Sequence, residues 1–108
     1  MAKMIRFQVV LATVLLAGAV GFAQSGGEAT YKAKCAMCHG AAGVPSAGMA
    51  KNMGVKAVSD PAIKALTVAQ MVAAVKNGKG KMKPVAGLTD AQITEAVNFY
   101  RACASGSH

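Results

Sequence analysis

The stretch Cys35-Ala36-Met37-Cys38-His39 sets two thiols and an imidazole at short fixed intervals. On a helix, positions i, i+3 and i+4 share one face, so Cys35, Cys38 and His39 would point together while Ala36 and Met37 point elsewhere. This pattern suits covalent haem attachment, in which each thiol joins one vinyl group as a thioether and the imidazole reaches the iron. Two other chemistries use Cys-x-x-Cys. A redox dithiol of the thioredoxin kind wants a preceding strand within a βαβ pattern, and none is evident here. A tetrahedral zinc site needs a fourth ligand, with Cys103 or His108 supplying it from the far end of the chain. Haem attachment is therefore the expected chemistry.

Haem iron has a second axial position, and the seven methionines can be sorted for it by context. Met1 and Met4 belong to the leading segment, Met37 falls on the wrong face of the motif, and Met71 lies on an apolar helical stripe, where core packing explains it. Met82 stands in Gly78-Lys79-Gly80-Lys81-Met82-Lys83-Pro84. There Gly permits a tight backbone and Pro84 stiffens the exit, which suits a ligand delivered at a fixed distance. Met82 is the expected ligand; Met49 and Met53, in a loosely specified Gly- and Ala-rich loop, are the alternatives. Ligation by His39 and Met82 would raise the reduction potential and leave no open coordination site, favouring electron transfer over oxygen or substrate chemistry.

The elements that must hold these residues can be read from caps and apolar spacing. Residues 1–23 have a basic start (Lys3, Arg6), an apolar stretch from Phe7 to Phe22 and a small-residue exit, the plan of a secretory signal peptide cut after Ala23. That stretch is shorter than the roughly 20 residues of a spanning helix and contains Gln8 and Thr13. A periplasmic or otherwise exported domain over 24–108, with no stable membrane insertion after cleavage, is expected. In it, short helices are broken by Gly and Pro, and no alternating run supports a strand, so the fold class is all-α. The first helix should cover Glu28 to Cys38, followed by a loop from Gly40 to Ser59. Pro61 behind Asp60 should open a short turn through Leu66. Thr67/Gln70 and Thr89/Gln92 have capping-box spacing and should start helices ending at Asn77-Gly78 and near Ala104. Their inward faces are Val68, Met71, Val72 and Val75, and Ile93, Ala96, Val97 and Tyr100. Cys103, late in the last helix, reads as a half-buried thiol behaving as a small hydrophobe, the alternative being an intermolecular disulfide.

Hydrophobic residues make up 54% of the 108-residue chain and aromatics only 5%, a shortfall that a large apolar cofactor would fill. Lys and Arg outnumber Asp and Glu by 12 to 4, a net charge of +8. Loss of Lys3 and Arg6 with the leading segment leaves ten basic against four acidic residues, a net of +6. No interleaved aromatics, basic run, helix-turn-helix or zinc-finger spacing accompanies that charge, so nucleic acid is not the expected partner. Lys76, Lys79, Lys81 and Lys83 surround the Met82 loop, and they form either a ring that steers it toward an acidic patch on a redox partner or simply a solvated face.

With these motifs the sequence resembles the class I cytochrome c family in its small bacterial form. The resemblance covers nearly the whole domain: Gly27-x-x-x-Tyr31, Cys35 to His39, the Asn77 to Met82 approach, and a final helix bearing Phe99 and Tyr100. It implies a cytochrome c fold of three to five short helices around one covalently attached haem. It also implies that the first and last helices cross near Gly27 against Phe99 or Tyr100, and that the Pro45 carbonyl orients His39. The expected function is one-electron transfer between redox partners rather than enzymatic catalysis. Electron-transfer interfaces are small and transient, so a monomer is expected. Two rival readings stand beside it: a haem enzyme or gas sensor with an open iron site, and an exported copper-binding protein using Cys and Met as soft ligands.

Overall fold

A computed structural model describes residues 26–106. The leading segment, read as an export signal, lies outside the described residues, as does His108. Among the described residues there are six helices and no strand: α1 over 26–34, α2 (Ala36–His39), α3 (Ala47–Met53), α4 (Pro61–Lys64), α5 (Val68–Asn77) and α6 (Asp90–Cys103). The chain is all-α, as its patterning predicts. The helices exceed the expected three to five because the first is divided at Cys35 and because α3 occupies part of the stretch read as a loop.

The helix starts follow from side-chain caps. Thr67 Oγ1 accepts from the Gln70 amide at 3.1 Å while Gln70 Oε1 accepts from the Thr67 amide at 2.8 Å. Thr89 and Gln92 repeat the pair at 3.2 and 2.9 Å. Each box satisfies two amides that a helix start leaves without partners. Pro61 takes the first position of α4, with Asp60 Oδ1 accepting from Ala62 N at 2.9 Å. The unexpected α3 is capped by Ser46, whose Oγ accepts from Met49 N at 3.2 Å, and it ends at Gly54 in the left-handed region. It buries no residue, so it carries no apolar stripe by which to recognise it.

The core lies between α5 and α6. Met71 and Val75 of α5 meet Ile93 and Val97 of α6, with Ile63, Leu66, Val68, Val72, Met82, Val85, Leu88 and Tyr100 packed around them. These positions recur every three or four residues, which places them on one stripe of each helix. α1 crosses α6 at Gly27, which is buried; a Cβ there would lie 2.6 Å from the Glu95 carbonyl oxygen. The crossing is near Gly27, as the resemblance implies, but its contact there is Glu95, and Tyr31 one turn later is what meets the aromatics of α6.

Candidate functional site

Beyond residue 23 the chain has three aromatic residues, Tyr31, Phe99 and Tyr100, and the fold gathers all three. The Tyr31 ring lies 5.2 Å from that of Phe99 and stacks at 5.8 Å on Tyr100. His39 meets the edge of Tyr100 with ring centres 5.3 Å apart. The aromatic group thus joins α1 to α6 and abuts the Cys-x-x-Cys-His turn.

Cys35 occupies the break between α1 and α2, with φ −118° and ψ −32°. The helical ladder nevertheless passes through it: Cys35 N donates to Tyr31 O at 2.8 Å and His39 N donates to Cys35 O at 3.0 Å. The i and i+4 relation of Cys35 and His39 therefore survives the distortion. Cys35, Cys38 and His39 are all half-buried, whereas Met37 is 86% exposed, the opposite-facing position expected of it. Neither thiol is in a disulfide. Burial raises the Cys35 pKa, so its thiol stays protonated.

The chain reverses directly after the motif. Gly40 has φ +84°, and a Cβ there would collide with the Val44 carbonyl oxygen, so only glycine allows the turn. Tyr31 Oη donates to the Gly40 carbonyl at 2.5 Å, and Gly43 N donates to the same oxygen at 3.1 Å. Tyr31 is 1% exposed. Burial, assisted by the neighbouring Cys103, Tyr100 and Cys35, pushes its pKa well above the ordinary tyrosine value despite the Gly43 amide, and keeps the phenol a donor.

Burial also lowers the His39 pKa, favouring the neutral imidazole that a metal requires. Its Nδ1 is buried with no hydrogen-bond partner. The Pro45 carbonyl, which the resemblance implied as that partner, does not accept from it. Pro45 stands directly before Ser46, the cap of α3.

Met82 sits in a closed turn, with Lys79 N donating to Met82 O at 2.9 Å and Met82 N donating to Lys79 O at 3.0 Å. Gly78 at φ +80° makes this possible, since a Cβ there would lie 2.8 Å from Met82 O and 2.9 Å from Pro84 Cδ. The half-buried Met82 side chain packs on the α5/α6 cluster, as does Tyr100, whose ring edge meets His39. Lys81 Nζ donates to Asn52 O at 3.0 Å, bracing the turn against α3. Of the alternative ligands, Met49 is half-buried and Met53 is exposed, both on α3 rather than in a loop. Met71 is in the core, as expected.

Other ligand chemistries find less support. Among the described residues, no three of His, Cys, Asp and Glu are grouped to hold a metal ion. Cys103, a possible fourth zinc ligand, is buried, and its Sγ donates to Phe99 O at 3.4 Å. What remains is one half-buried imidazole on a turn with two unpaired thiols, set against the aromatic group, and a thioether packed on the α5/α6 cluster. That donor set fits a haem.

The lysine ring is partly engaged. Lys76 pairs with Asp90 at 3.0 Å and Lys81 is tied to α3, while Lys79 and Lys83 are exposed. Sequence reasoning placed Tyr100 on the inward face of its helix but missed its contact with His39. The usable signal was the clustering of so few aromatics into two sites, one turn before the motif and near the end of the last helix.

The model of one protein family, described as cytochrome c oxidase, cbb3-type, subunit III, matches residues 23–99. No curated protein matches the chain, and no solved structure does.

Proposed function

The chain belongs to the c-type cytochrome domains of the family described as cytochrome c oxidase, cbb3-type, subunit III, and from that membership we propose that it is an exported one-electron carrier with a single covalent haem. The observation that carries this reading is the half-buried turn of two unpaired thiols and a neutral imidazole set against the aromatic group. Cys35 and Cys38 would hold the haem by thioether bonds, with His39 and Met82 as axial ligands. A haem bound there supplies an iron couple that takes up and gives back one electron.

The protein's own residues have separate tasks. Tyr31 pins the turn that follows His39, so the imidazole is presented from a fixed backbone. Gly78 and the Lys79–Met82 bonds hold the methionine turn closed. The α5/α6 cluster keeps water from the apolar side. With His39 and Met82 both holding the iron, no site would be left for a substrate, which suits an electron carrier rather than an enzyme. Lys79 and Lys83 would meet an acidic patch on a redox partner in a transient complex. Among the described residues, no helix is long and apolar enough to cross a membrane. Cleavage of residues 1–23 would deliver a monomeric domain to the periplasm or another exported compartment.

Visible spectra of the protein, exported alongside haem maturation machinery, test this function. Sharp bands on reduction that stay with the protein through acid-acetone extraction are expected. In Met82→Ala the long-wavelength band of the oxidised form should disappear, while covalent attachment persists. Haem with an unchanged oxidised spectrum in that variant would move the ligand to Met49 or Met53 or open the iron site. Absence of haem would overturn the reading.

A further inference from the structure

We propose that Lys81 is a positioning residue for Met82: its ammonium, bonded to the Asn52 carbonyl, straps the methionine turn to the end of α3 and so keeps the thioether at the iron. This deepens the haem-carrier reading and rests on it. Lys81 stands at the tip of the turn closed by the two Lys79–Met82 bonds, directly before the ligand. Its Nζ donates to Asn52 O at 3.0 Å, across 29 residues of sequence. Asn52 is in the last turn of α3, where carbonyls have no partner within the helix and a cation is favoured.

The strap matters because of what it joins. α3 buries no residue, so core packing does not fix its place. Its start, capped by Ser46, follows closely on the turn after His39, and its end receives Lys81. α3 is thus a seven-residue spacer, about 10 Å long, between the turns that carry the two axial ligands. On the α5 side the methionine turn is held by Val85 N, which donates to Val75 O at 2.9 Å, and by the packing of Met82 on the α5/α6 cluster. Lys79, Gly80, Lys81 and Lys83 are exposed, so burial does not hold the tip of the turn. The Lys81 bond supplies that hold. A bond from an ammonium to a carbonyl at the surface is modest in strength, so its loss should free the turn without unfolding the protein.

The haem-loaded wild type is compared with Lys81→Leu, which keeps much of the apolar stem and removes the ammonium, and with Lys81→Arg, which restores a donor. In the oxidised protein, the rate at which saturating imidazole displaces the methionine reads how readily Met82 leaves the iron. Measured at high ionic strength, where a general effect of surface charge is screened, that rate should rise roughly three- to tenfold in Lys81→Leu. It should return close to the wild-type value in Lys81→Arg. In the reduced wild type, nuclear magnetic resonance should show cross-relaxation between the Lys81 ε-methylene protons and protons of Asn52. Its absence overturns the strap alone, even if Lys81→Leu fails to fold. Equal displacement rates in the wild type and a folded Lys81→Leu do the same, as does a rate in Lys81→Arg as fast as in Lys81→Leu. A wild type that binds haem without methionine on the iron overturns the Met82 assignment together with the strap, and one that binds no haem overturns the carrier reading as well.

Discussion

Tyr31 does more than fill space at the helix crossing, because its hydroxyl holds the turn that follows His39. Tyr31→Phe keeps the ring and should cost about 1 kcal/mol in denaturant unfolding of the haem-loaded protein. It should also alter the alkaline limb of stability. The unfolded chain releases this phenol's proton near the ordinary tyrosine value of about 10, whereas the folded chain holds it to higher pH. Above pH ~10 the unfolded state therefore binds fewer protons, and stability falls as pH rises. That fall should be shallower in Tyr31→Phe; equal slopes would count against the assignment. Gly78 gives a second test at this scale. Gly78→Ala forces a side chain into the left-handed region at φ +80° and against Met82 O, and should cost roughly 1–2 kcal/mol. The Met82 ligation band should weaken with it, and an intact band with unchanged stability would contradict the role given to the turn. Cys35, Cys38 and His39 were legible as candidates because their spacing encodes a chemical requirement, and Met82 because Gly78, Gly80 and Pro84 shape its loop. The contact between His39 and Tyr100 was not, because residues 61 positions apart meet only through the packing of α1 on α6.

At the scale of elements, α1 and α6 can approach only because position 27 lacks a side chain. Gly27→Ala should push α1 away from the Glu95 carbonyl and destabilise the fold by roughly 1–3 kcal/mol, read as a lower thermal midpoint. A midpoint equal to that of the wild type would mean that the helices slide apart freely. Helix starts with a chemical signature were readable in advance: the boxes at Thr67 and Thr89 and the Asp60-Pro61 pair all form where their spacing places them. The end of α5 at Asn77 was equally legible from Gly78. α3 escaped because a surface helix without buried residues shows no period, although Ser46 and Gly54 mark its two ends. The break at Cys35 left no signal, since its neighbours Lys34 and Ala36 are ordinary helix formers.

For the whole molecule, net positive charge is a statement about encounters rather than about the fold. Electron exchange with an acidic partner should slow steeply as ionic strength rises, and Lys79→Glu or Lys83→Glu should slow it further at low salt. Lys76→Gln should matter less, because Asp90 already offsets that charge. Rates independent of salt would remove the steering role. The central claim, covalent haem on Cys35 and Cys38, is tested most directly by mass spectrometry of the protein exported with haem maturation machinery. The account predicts a mass one haem above that of the polypeptide, carried on the fragment containing Cys35 to His39 and lost when both cysteines are changed to alanine. A polypeptide without added haem, or haem retained by the double variant, would contradict it.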